Sequence, residues 1–127
     1  MKLKDKYIKK LESLDINVGD IYQKDYEDFS IVAFSDKVNG DMINISITFF
    51  DNDDYEIILR REVKDLNFEK ALSVINEYNK NFSGVAFYID DNNLYCIRSS
   101  ETYKGDLQEI FVNISSIIEI ISTTANF

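Results

Sequence analysis

Ile43, Ile45, Ile47 and Phe49 alternate with Asn44, Ser46 and Thr48. Side chains of an extended chain point alternately to opposite faces, so this stretch buries its apolar set only as a strand with one covered and one polar face. Such a strand needs neighbours at its edges and a layer over its apolar side. The rest of the chain is therefore read for the segments that supply them.

The flanks supply neighbours. Asn39-Gly40 is a tight-turn signal, and before it Phe29, Ile31 and Ala33 alternate with Ser30, Val32 and Phe34. Both sets are largely apolar, which predicts a strand covered on both faces. After the Asp51-Asn52-Asp53-Asp54 run, Tyr55, Ile57 and Leu59 alternate with Glu56, Ile58 and Arg60. Two further strands are read at Val85 to Asp90 and Leu94 to Ser99, joined by the turn Asp90-Asp91-Asn92-Asn93.

Three segments have helical period instead. Leu3, Tyr7, Ile8, Leu11 and Leu14 share one face over residues 2–14. Phe68, Ala71, Leu72, Ile75, Tyr78 and Phe82 form a core stripe over 67–82, with Asn67 as N-cap. Leu107, Ile110, Phe111, Ile114, Ile117, Ile118 and Ile121 form a third stripe after Gly105, where Asp106 and Glu109 have capping-box spacing. That last segment is rich in β-branched residues, which disfavour helix, but its period decides the assignment. The predicted order is α-β-β-β-α-β-β-α: an α+β fold, an antiparallel sheet with helices packed on it. The chain has no proline, repeat or linker, so residues 1–127 read as one domain.

Residue chemistry excludes more than it suggests. Histidine is absent, which removes the usual general base near neutral pH and argues against an enzyme. The single cysteine, Cys96, lies mid-strand in an apolar alternation and reads as core. The four glycines are isolated, so no phosphate-binding loop is present and no cofactor is expected. A calcium loop starting at Asp51 and ending at Glu62 would place Tyr55 where an oxygen ligand is needed and Glu56 where glycine is needed. The run is therefore read as a hairpin turn, with no specific metal. The opening MKLKDKYIKKLESL is charged and lacks a continuous apolar stretch, unlike a signal peptide. The most apolar segment, Ile110 to Ile121, is interrupted by polar residues and falls short of the ~18 apolar residues a membrane span needs. These features point to a cytoplasmic protein with no membrane partner.

The net charge is −9, and residues 15 to 56 carry all of it, with eleven acids against Lys24 and Lys37. Nucleic acid is thereby disfavoured as a partner, because phosphates require a basic surface.

The segment ALSVINEYNKN, followed by GVAFYIDDNNLYCIRSSETYKGDLQEIF, resembles the second half of the YbjN-like family of small bacterial proteins. The shared features are Ile75-Asn76-Glu77-Tyr78-Asn79 on a helix, a hairpin with an acidic turn, and a final helix. The element order is similar to that of class I type III secretion chaperones. That resemblance implies a small, acidic, non-enzymatic, homodimeric protein that binds an unfolded stretch of a client. It implies no functional residues. Ile58, Val112 and Ile120, apolar but off the main stripes, are the candidate partner contacts. The alternative is an acidic inhibitor or immunity protein that blocks a basic enzyme or toxin through Asp25, Glu27, Asp28, Asp51, Asp53 and Asp54.

Overall fold

The computed structural model describes residues 1–124. Helix α1 (Leu3–Ser13) is followed by a 3-10 turn (Val18–Asp20) and four strands: β1 (Tyr22–Asp25), β2 (Phe29–Val38), β3 (Asp41–Phe50) and β4 (Asp54–Glu62). Then come α2 (Phe68–Asn81), β5 (Val85–Ile89), β6 (Leu94–Thr102) and α3 (Gln108–Thr123). The strands form one antiparallel sheet in the order β1-β2-β3-β4-β6-β5. The fold is α+β, as expected, with one strand more than the sequence pattern indicates. Strand β1, Tyr-Gln-Lys-Asp, is exposed throughout and has no apolar alternation to betray it.

The strand register explains the core. Phe34 lies opposite Ile45, Ile45 opposite Leu59, Leu59 opposite Ile97, and Ile97 opposite Phe87. A second row runs Val32, Ile47, Ile57. Apart from the partly covered Phe34, all of these are buried. Burying one such side chain stabilises the fold by about 1.5–3 kcal/mol. All three helices pack on this face. Tyr7 of α1 meets Phe49 at 5.5 Å and Phe111 of α3 at 5.3 Å between ring centroids, and Tyr78 of α2 meets Phe87 at 5.3 Å. Among the described residues no helix covers the other face, which gives two layers. The expectation that the 29–34 strand is covered on both sides is corrected: Phe29, Ile31 and Ala33 lie on the open face, half-exposed.

Turn chemistry matches the sequence. Asn39 (φ 52°) and Gly40 (φ 86°) both take left-handed backbone, as the two-residue β2–β3 hairpin requires. Asp90 accepts from the amides of Asn92 at 2.9 Å and Leu94 at 3.0 Å and so forms the β5–β6 turn. Asn67 caps α2 by accepting from the Lys70 amide at 3.2 Å. Ahead of α3 the capping box that the Asp106 and Glu109 spacing suggests is not formed: Asp106 accepts from the Gln108 amide at 2.9 Å through its side chain, and the Glu109 amide bonds the Asp106 backbone carbonyl. Three helix positions depart from expectation. Leu14 is 53% exposed because α1 ends at Ser13 in a six-to-one bond from Ile16 to Leu11, with Asp15 left-handed. Phe68 and Leu72 are also half-exposed, because α2 lies at the margin of the sheet and only Ala71 and Ile75 face fully inward.

The two sheet edges differ. The side-chain amide of Asn79 accepts from the Phe87 amide at 2.8 Å and donates to the Phe87 carbonyl at 3.0 Å. It occupies the outward peptide groups at the middle of β5, where a further strand would otherwise add. Among the described residues nothing covers edge β1 in this way. It is tethered instead by Asp25, which accepts from Ser30 Oγ at 2.8 Å and pairs with Lys4 at 3.0 Å.

Two outcomes follow. Asn79→Ala leaves the Phe87 peptide groups without their partner and lowers unfolding free energy by about 1–3 kcal/mol in urea titrations. The tether also makes stability depend on pH. The Ser30 hydroxyl and the Lys4 ammonium hold Asp25 below its ordinary 3.8, so its contribution is present above that value and is lost as pH falls through the lowered one. Burial pulls Lys4 down, but Asp25 and Asp5 outweigh it and hold the ammonium above 10.5. Its contribution is present below 10.5 and is lost as pH rises through the raised value. Urea midpoints measured across pH for Asp25→Asn and Lys4→Met should flatten the acid and alkaline limbs respectively.

Candidate functional site

The Asp51-Asn52-Asp53-Asp54 run closes the β3–β4 hairpin. The Asp53 amide donates to the Phe50 carbonyl at 3.2 Å, with Asp53 itself left-handed at φ 66°. Asn52 Oδ1 accepts from the Asp54 amide at 3.0 Å. Asn and Asp serve here as turn formers, bonding backbone two residues on. Among the described residues no group of three or more His, Cys, Asp or Glu side chains is placed to hold a metal.

This turn gathers distant segments. The Asp51 amide donates to the Asp28 carbonyl at 3.2 Å, and the Tyr103 amide to the Asp53 carbonyl at 2.9 Å. The β1–β2 turn, the β3–β4 turn and the exit of β6 therefore meet at one end of the sheet. A cleft of about 580 Å³ opens there between Phe50, Asn52, Asp54, Tyr55, Glu101 and Lys104. A separate hollow of about 240 Å³ adjoins it along the start of α3, lined by Glu109, Val112 and Asn113 and sharing Tyr55, Glu101 and Lys104 with the first.

The floor is Tyr55, buried, whose hydroxyl accepts from Asn113 Nδ2 at 2.7 Å. Burial raises its pKa, the Asn113 bond opposes this, and Glu101 and Glu109 add to the rise. The phenol thus stays neutral at ordinary pH. The walls carry Asp54, Glu101, Asp106 and Glu109 against one base, Lys104. Asp54 is oriented by Thr102 Oγ1 at 2.7 Å and Asn52 Nδ2 at 3.0 Å, and Glu101 by Ser99 Oγ at 3.3 Å. Phe50, 38% exposed, lines the cleft and Val112, 52% exposed, the hollow beside it. Exposed apolar residues beside carboxylates suit a chain segment with a cation flanked by apolar groups.

The candidate residues distribute unevenly. Asp54 lines this cleft and Val112 the hollow beside it, with Asp51 and Asp53 in the adjoining turn. Glu27 and Asp28 are exposed in the neighbouring turn, linked to it through the Asp28 carbonyl. Asp25 is paired with Lys4, and Asp51 lies 3.9 Å from Lys2, so these two lysines offset part of the charge at this end. Asp36 and Asp41 flank the opposite hairpin, which divides the negative charge of residues 15–56 between two ends of the sheet. Ile58 sits apart, half-buried on the open face between Ser46 and Arg98. Ile120 packs against the core. Cys96 is fully buried, and burial pushes its thiol up to about 11, so it is no nucleophile at neutral pH. Sequence reading missed Phe50, Tyr55, Glu101, Lys104 and Glu109 as site residues, because only strand pairing brings them together.

Among the described residues no helix is long and apolar enough to cross a membrane. No protein family, no curated protein and no solved structure matches this chain.

Tyr55→Phe removes the hydrogen bond between the cleft floor and Asn113. It should cost about 0.5–1.5 kcal/mol in chemical denaturation, and nearly nothing in an Asn113→Ala background if the bond is the cause.

Proposed function

We propose that this protein is a non-catalytic, cytoplasmic protein-binding module, akin to YbjN-like proteins and class I type III secretion chaperones, that holds a partner polypeptide. The cleft at the end of the sheet carries this reading. With the hollow that adjoins it, it offers two exposed apolar residues, Phe50 in one and Val112 in the other, and four carboxylates, Asp54, Glu101, Asp106 and Glu109. An extended stretch with basic side chains between apolar ones satisfies both features at once. The helix-free sheet face, with Ile58 at its middle, offers a second surface beside it.

A second reading is the acidic inhibitor or immunity protein. Its support is the bond between Asp51 and Asp28, which brings Glu27, Asp28, Asp51, Asp53 and Asp54 to one end of the sheet. There the partner is a folded basic protein, steered by charge and released as salt rises.

Calorimetric titration with an extended peptide of alternating leucine and lysine, against its leucine–glutamate counterpart, tests the site. The basic peptide should bind and the acidic one should not. Glu109→Lys combined with Val112→Asp should weaken binding by about tenfold or more, roughly 1.4 kcal/mol. Binding that survives high salt favours polypeptide holding; binding lost at high salt favours the inhibitor. No binding by either peptide, or equal binding by the double variant, overturns the assignment of the cleft.

A further inference from the structure

The uncovered edge of the sheet has a defined hydrogen-bonding parity. The Tyr26 amide donates to the Phe29 carbonyl at 2.8 Å, which makes that pair a hydrogen-bonded one. In an antiparallel ladder such pairs alternate, so Tyr22 and Lys24 turn their peptide groups toward β2 while Gln23 and Asp25 turn theirs outward. All of β1 is exposed. Ile21 continues the extended backbone (φ −99°, ψ 127°) with its amide already bonded to Val18, leaving its carbonyl on the outward side.

We infer that β1 pairs antiparallel with β1 of a second copy of this chain, with Gln23 opposite the partner's Gln23. Parity restricts the twofold registers to those that set outward residues against one another. Gln23 against the partner's Asp25 puts Lys24 directly opposite the partner's Lys24. Asp25 against the partner's Asp25 sets two carboxylates together and leaves Tyr22 outside. Like charges directly opposite destabilise a pair. Ile21 against the partner's Gln23 forms fewer ladder bonds, because the Ile21 amide is spent on Val18 and the chain before it turns away through Val18–Asp20. Gln23 against the partner's Gln23 has no like-charge pair opposite and sets Lys24 against the ring of the partner's Tyr22, twice. Tyr22 is 55% exposed, and Lys24 already lies 5.0 Å from the Tyr26 ring centroid, so the cation sits among aromatic faces. The Asp25 amide then reaches the carbonyl of the partner's Ile21.

The contact closes on itself. At the other edge Asn79 occupies the outward groups of Phe87, so association through β1 ends at two copies rather than continuing as a filament. Each copy carries −9, so the pair tightens as salt screens their repulsion. This inference is independent of the cleft and its ligand.

Single cysteines introduced as Gln23→Cys, Lys24→Cys and Asp25→Cys, under mild oxidation, test the register; native Cys96 is fully buried and stays out of the exchange. Directly opposed hydrogen-bonded residues have Cα atoms about 5.5 Å apart, within disulfide reach. Gln23→Cys should give a covalent dimer, and the other two should not. Sedimentation velocity should show a dimer strengthened by salt. Gln23→Pro, which removes an outward amide but no bond to β2, should weaken the dimer about tenfold or more. A monomer at all salt concentrations, or preferential cross-linking at Lys24 or Asp25, overturns the inference.

Discussion

Every other feature of this structure depends on the apolar rows that cross the central strands. Phe34, Ile45, Leu59, Ile97 and Phe87 lie side by side because the ladder register holds them there, and Val32, Ile47 and Ile57 form the adjacent row. A two-residue period sends all of them to one side of the sheet, so all three helices must cover that side. The opposite face is left with Ser46, Ile58, Arg60 and Arg98, where Arg60 donates to Ser46 at 3.1 Å and lies 3.9 Å from Asp90. A one-residue slip in any central strand would exchange the two faces.

Function is then confined to what the helices leave free: one face, two ends and two edges. The ends are unequal. At one lie the two-residue hairpin at Asn39-Gly40, whose Asn39 side-chain amide donates to the Ser122 carbonyl at 3.5 Å, and the β5–β6 turn. At the other, three loops and the start of α3 converge around Tyr55, which creates the cleft. The edges are unequal too. A single asparagine amide occupies the outward peptide groups of Phe87 in β5, whereas β1 is held through Asp25, bonded to Lys4 and Ser30, and through its ladder with β2. Both candidate surfaces follow from the places where the core leaves polar backbone and carboxylates without a covering layer.

The proposal and its alternative rest on different physics at the same end of the molecule. Polypeptide holding uses the exposed rings and methyls of Phe50 and Val112, whose contribution persists in salt. Inhibition of a basic protein uses carboxylates in high-dielectric surroundings, whose contribution does not persist. Lys2 and Lys4 reduce the second, because they pair with Asp51 and Asp25.

Much of this was legible in the residues alone. The alternation around Ile43–Phe49, the Asn39-Gly40 and Asp90–Asn93 turns, the Asn67 cap and the stripe of α3 each declare themselves locally, because backbone geometry ties side-chain period and turn conformation to residue type. The α+β class follows from their order. Strand β1 was not legible, since an exposed edge strand needs no apolar pattern. Phe68 and Leu72 read as core because a stripe shows which residues share a helix face, not how far the covering layer extends. Of the site, Val112 and the Asp51–Asp54 run stood out by composition, but Tyr55, Glu101 and Glu109 joined them only through pairing of β4 with β6 and the docking of α3. Local sequence determined every α-helix and every strand but β1, and the buried side of most of them. Which end of the sheet gathers the acids, and which edge stays open, was decided by tertiary structure, because both depend on contacts between residues far apart in the chain.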